Sequence, residues 1–105
     1  MTAAVALDAL GDATRREIVG LLAQRPSSVQ ELADRLPVSR PAVSQHLRVL
    51  HDAALVTKSA HGTRRVYRLD PAGADSVRDY LDRMWDSALD SFAAYVDATA
   101  PKEPR

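Results

Sequence analysis

Apolar residues recur along this chain at helical spacing, break into alternation near residue 56, and return to helical spacing for the last third. The first stretch, "AAVALDAL", is short and apolar and runs into Gly11. In "ATRREIVGLLAQ", Ile18, Leu21 and Leu22 share one face; Asp12 is placed to cap the start and Pro26 to stop the end. Ser28 and Glu31 form S-x-x-E, the pattern of a capping box, ahead of a third helix. Leu32 and Leu36 lie on its inner face, and Ala33 is small enough to let another helix come close. After "PVS" at 37–39, Ser39 caps a fourth helix with Pro41 in its first turn, where a missing N–H costs little. Its buried stripe is expected at Val43, Leu47, Leu50 and Ala54, spaced i, i+4, i+7 and i+11.

The alternation occupies "LVTKSAHGTRRVYRL". Tyr67 and Leu69 interleave with Val66 and Arg68, and Gly62 supplies the positive φ of a hairpin tip. Asp70 caps and Pro71 opens a last helix to about Thr99, with Val77, Leu81, Met84, Trp85, Ala88, Leu89, Phe92, Tyr95 and Val96 as its apolar set. Two short helices joined by a three-residue turn, with a hairpin beside them, predict a mainly α fold with a small β-hairpin, the winged helix-turn-helix. At 105 residues the chain fits one domain. The expected division is a DNA-binding and dimerisation domain over 1–98 and a flexible tail over 99–105.

The polar side of the fourth helix then acquires a purpose. A major groove accepts one α-helix, whose N-terminal residues reach base edges. Gln45 suits adenine, Ser44 either base type, Arg40 and Arg48 guanine or phosphate, and Pro41 with Ala42 a thymine methyl. Ser39 and His46 complete the reading set. His46, one position before Leu47, also has a structural reading, packed at the helix flank. On the hairpin, Lys58, His61, Gly62, Thr63, Arg64 and Arg65, with Arg68 behind them, suit phosphates or a minor-groove edge.

Charge distribution sharpens this picture although net charge is zero. Residues 14–68 carry ten Arg/Lys against four Asp/Glu, a net +6, whereas residues 70–98 carry two Arg against seven Asp, a net −5. Double-stranded DNA is the partner this favours. A winged-helix module that binds protein instead would be expected to lack cations at the reading helix. Asp75, Asp79, Asp82, Asp86 and Asp90 form an acidic stripe on the last helix, with Asp79 placed to pair with Arg83. On a straight helix they spread too far to converge on one cation.

The absence of cysteine removes disulfides, thiolate metal sites and thiol nucleophiles. The three histidines are scattered, and no metal or cofactor is expected. No phosphate-gripping glycine loop, G-x-S-x-G or acid–base pair supports an enzyme. No apolar run nears the roughly 18 residues of a membrane span, and the N-terminus lacks a basic leader, so a cytoplasmic location is expected. The seam Leu81, Met84, Trp85, Leu89, Phe92 and Tyr95, with Leu7 and Leu10, predicts a homodimer interface. Trp85, Phe92 and Tyr95 could alternatively line an effector pocket.

"LGDATRREIVGLLAQ", "SVQELADRLPVSRPAVSQHLRVLHDAALV" and "GTRRVYRLDPAG" together resemble the ArsR/SmtB family of winged-helix bacterial transcriptional regulators. The resemblance covers roughly residues 5–98. It implies a homodimeric DNA-binding repressor, often of its own promoter, that pairs through its first and last helices. The family's thiolate site falls here on about Ser28, Gln30 and Ala33, none a thiol, and the last helix has no histidine for the zinc-type site. The resemblance is therefore to metal-free members, and it assigns no effector.

Overall fold

A computed structural model describes residues 3–99. The order is α1 (Ala3–Ala9), α2 (Ala13–Gln24), β1 (Ser27–Ser28), α3 (Val29–Arg35), α4 (Arg40–Asp52), β2 (Val56–His61), β3 (Arg64–Leu69) and α5 (Pro71–Thr99). The three strands form one antiparallel sheet in the order β1-β3-β2. This is the winged helix-turn-helix: α3 and α4 are the paired helices, and β2–β3 is the wing.

The expected caps are formed. Asp12 accepts the Arg15 N–H at 3.0 Å. Ser28 and Glu31 close a reciprocal capping box at 3.1 and 3.2 Å. Ser39 accepts from the Ala42 N–H at 3.3 Å, and Asp70 from the Ala72 N–H at 3.0 Å. Each cap satisfies N–H groups that a helix start leaves without partners.

The end of α4 departs from the expected stripe. Val43, Leu47 and Leu50 are buried, but the fourth member is Ala53, not Ala54. The helix stops at Asp52, and Ala54 takes the left-handed conformation, φ 60°. The Ala54 N–H donates to the His51 carbonyl and the Leu55 N–H to the Leu50 carbonyl, both at 3.0 Å. That is a Schellman ending with alanine where glycine is usual. Beyond it, Gly73 of α5 lies so close that an added Cβ would stand 2.1 Å from the Ala54 carbonyl oxygen.

Strand β1 is an element the pattern did not announce. Two residues cannot show alternation; Ser27 and Ser28 become a strand by pairing with Tyr67 and Val66 of β3.

The core joins Ala6, Ile18, Leu22, Leu32, Val43, Leu47, Leu50, Leu55, Val56, Tyr67 and Val77. Leu7, Leu10 and Leu81, expected in the dimer seam, are half-buried against this core. Each packs one side on the protomer's own core and leaves the other outside it. Past Leu81, α5 leaves the body. Met84, Trp85, Leu89, Phe92, Tyr95 and Val96 are exposed, Trp85 by 60% and Tyr95 by 66%. The radius of gyration is 19.7 Å, against about 13 Å for a closed domain of this size. A helix about 43 Å long, its outer half projecting from the core, accounts for the difference.

Along α5 the ion pair is Arg78–Asp75 at 3.5 Å; the expected Asp79–Arg83 pair is not formed. Helix α5 runs through Thr99, whose hydroxyl donates to the Tyr95 carbonyl at 2.8 Å. The rest of the expected tail lies outside the described residues. Among the described residues no helix is long and apolar enough to cross a membrane.

Candidate nucleic-acid interface

Helix α4 buries one stripe and exposes the opposite side, because successive residues turn by about 100°. Pro41, Ser44, Gln45 and Arg48 lie on the exposed side, with Arg40 at its start. Ser39 is exposed too, but its hydroxyl is engaged by the Ala42 N–H.

His46 stands apart from the rest of the reading set. It is half-buried at the flank against α2, its Nδ1 3.4 Å from the Arg15 guanidinium. A guanidinium only donates, so Nδ1 is the acceptor. Arg15 also donates through Nε to the Ala9 carbonyl, tying the end of α1 and the start of α2 to α4. No local pattern announced this link, because it joins residues 31 positions apart.

The register divides the wing into two faces. Residues directly opposite in an antiparallel pair share a face, and faces alternate along each strand. Lys58 faces Tyr67 and Ala60 faces Arg65, which puts Lys58 and Arg65 on one side. His61 faces Arg64 and Thr57 faces Arg68, on the other. Gly62 turns the tip with φ 67°, next to exposed Thr63. The His61 ring is 3.2 Å from the Ser59 hydroxyl.

Between α4 and the wing runs an open groove of about 520 Å³. Ser44, Arg48, His51 and Asp52 line its helix side, Lys58, Arg65 and Tyr67 its wing side, and Leu47 and Val29 its floor. The structure thus brings Lys58 and Arg65 of the wing set together with Ser44 and Arg48 of the helix set. His51 and Asp52 are additions that the sequence pattern did not single out. Arg40, Arg48, Lys58 and Arg65 form no side-chain hydrogen bond or ion pair with another described residue. Arg64, by contrast, meets Glu31 at 2.6 Å and the Ser28 hydroxyl at 3.1 Å.

Two carboxylates beside these helices are held below their ordinary pKa. For Asp12 the main cause is the hydrogen bond from the Arg15 N–H; for Glu31 it is the Ser28 N–H, then the Ser28 hydroxyl, with Arg64 adding to it. Such groups lend stability that is fully present above the ordinary carboxylate range and lost as pH falls through their lowered folded values. Acidification from about pH 5 to about pH 3 should therefore lower the melting temperature. Glu31→Gln keeps the capping acceptor without the charge, and its melting temperature should change less over that range. Superimposable pH profiles would refute the assignment. Among the described residues, no three His, Asp or Glu side chains gather where they could hold a metal ion.

The fold recurs in known proteins. Residues 12–58 match the family described as bacterial regulatory protein, arsR family. The chain is 56% identical over 93 residues to the HTH-type transcriptional regulator Rv2034 of Mycobacterium tuberculosis, spanning 89% of this chain and 87% of that one. An ArsR-like transcriptional regulator from Rhodococcus sp. RHA1 superposes with a TM-score of 0.83 at 32% identity, over 95% of this chain and 94% of that one. The homodimeric winged helix-turn-helix DNA-binding domain Mb0332 of Mycobacterium bovis superposes with a TM-score of 0.64 at 27% identity, over 97% and 86%.

Proposed function

The chain belongs to the arsR family of bacterial regulatory proteins, and on that premise we propose that it is a homodimeric repressor of its own or an adjacent operon. The observation that carries this reading is the groove between α4 and the wing, with unpaired cations on both walls. In each protomer α4 enters a major groove. Gln45 reads adenine through its amide, Ser44 and Pro41 contact neighbouring base edges, and Arg40 and Arg48 take guanine or phosphate. Lys58 and Arg65 hold the backbone alongside and fix the docking register.

Dimerisation follows from the bare seam on α5, which fits the homodimeric state of the Mb0332 domain. Pairing the α5 helices, with α1 alongside, spaces the two reading helices for half-sites about 34 Å apart. The regulator acts in the cytoplasm, and its release does not run through the metal sites usual in the family. Zinc, cadmium or arsenite in modest excess should leave the DNA complex intact; stoichiometric release by any of them would overturn that part of the reading.

The docking itself is tested by two substitutions. Gln45→Ala should relax base preference by about 1–3 kcal/mol at one position. Arg65→Ala should weaken all duplexes alike, because a phosphate contact carries no sequence information. Competition binding against a panel of single-base operator variants measures both. If each mutant keeps wild-type preference and strength, the docking is wrong.

A further inference from the structure

Arg64 is a wing cation that does not line the groove. By register it shares a face with His61, Val66 and Arg68, opposite the Lys58 and Arg65 that line the groove. Its guanidinium instead reaches back to the start of α3, to Glu31 Oε1 at 2.6 Å and Ser28 Oγ at 3.1 Å. These two residues are the capping box of the first helix of the helix-turn-helix.

The position of this contact along the wing matters. Strand β1 pairs with β3 only at Ser27↔Tyr67 and Ser28↔Val66. Main-chain pairing to the body therefore stops two residues short of Arg64. Beyond it the wing is a two-stranded ribbon, which by itself is marginally stable in water. The Arg64 side chain takes over where the ladder ends. One terminal nitrogen, Nη2, held in the guanidinium plane, donates to both the carboxylate and the hydroxyl, and the first of these bonds joins two charges.

We propose that Arg64 is a positioning residue, not a phosphate ligand: docked on the α3 capping box, it sets the distance of the wing from the reading helix. This rests on the DNA-binding reading of the groove. The two roles make opposite demands. A phosphate ligand gives up one released counterion when it is removed, and a lysine replaces it in charge. A strut contributes no counterion, depends on Glu31, and is poorly replaced by the single ammonium of lysine.

The test measures affinity against salt for the full chain on duplex DNA from immediately upstream of its own reading frame. The variants are Arg64→Ala, Arg64→Lys, Glu31→Gln, the double variant Arg64→Ala/Glu31→Gln, and Arg65→Ala as the phosphate reference. The expected result is a roughly tenfold loss for each Arg64 variant and for Glu31→Gln, no further loss in the double variant, and a wild-type salt slope in all four. Arg65→Ala alone should make the slope shallower, by about 0.9 for each phosphate it no longer neutralises. Melting temperatures should stay within a few degrees of the wild type, since exposed ion pairs add little stability. A shallower slope for Arg64→Ala, wild-type affinity for Arg64→Lys, or wild-type affinity for Glu31→Gln would each overturn the strut. A wild-type affinity that ignores salt would instead strike the DNA reading beneath it.

Discussion

Trp85→Asp is expected to abolish the dimer at micromolar concentration and, with it, tight operator binding. Trp85 sits with Leu89, Phe92 and Val96 on one stripe of α5, at i, i+4, i+7 and i+11, and these residues are exposed in the single protomer. Burying one large apolar side chain is worth about 1.5–3 kcal/mol. A two-fold interface uses the same patch twice, so placing a carboxylate there costs about 3–6 kcal/mol per dimer. That corresponds to a hundredfold or greater loss of association. The protomer's own core ends near Leu81, so the variant should remain folded. Sedimentation velocity and operator binding on one preparation check this. A variant that stays dimeric, or a monomeric variant that binds the operator as tightly as the wild type, would contradict the account.

Gly73→Val should be the most destabilising single change within the protomer. The Gly73 backbone lies against Ala54 and Leu55, and a Cβ there would come 2.1 Å from one backbone oxygen and 3.2 Å from the Leu55 Cα. Backbone atoms cannot swing aside as a side chain tip can. Either α5 lifts off or the left-handed turn at Ala54 opens, at a cost of about 3 kcal/mol. For a domain of this size that lowers the melting temperature by roughly 15 °C. Gly20 gives the opposite sign. It lies within α2, where an added Cβ would meet nothing within 4 Å, so Gly20→Ala should raise stability by about 0.5–1 kcal/mol. Thermal melts of the two variants should therefore move in opposite directions; a Gly73→Val protein as stable as the wild type would show that the close approach is not real.

The parts of this molecule that were legible in the sequence are those whose cause is local. Asp12, Ser28, Ser39 and Asp70 announce helix starts because a cap is made within three residues of itself. The tip at Gly62 is equally local. The α4 stripe was legible except at its end: spacing alone selects Ala54, whereas the helix has already turned out by then, and Ala53 takes the inward place. What stayed hidden depends on partners distant in the chain. Ser27 and Ser28 are a strand only because Tyr67 and Val66 lie beside them. Arg64 looks like one more wing cation until Glu31, 33 residues earlier, is brought to it. The flank position of His46 was among the sequence readings, but its partner Arg15, 31 residues earlier, was not. The apolar set of the last helix was visible, but its division was not. Only the packing separates Leu81, half-buried on the core, from the bare residues beyond it.

The central claim, that the groove and its cations meet duplex DNA, is tested most directly by the affinity for the upstream duplex as salt is raised. Arg40, Arg48, Lys58 and Arg65 form no ion pair with a described residue and are free to neutralise phosphates. The account predicts a linear fall of log affinity with log salt, at about −0.9 per phosphate, or roughly −7 for a dimer that engages all four in each protomer. An affinity that stays flat from low to moderate salt would contradict it.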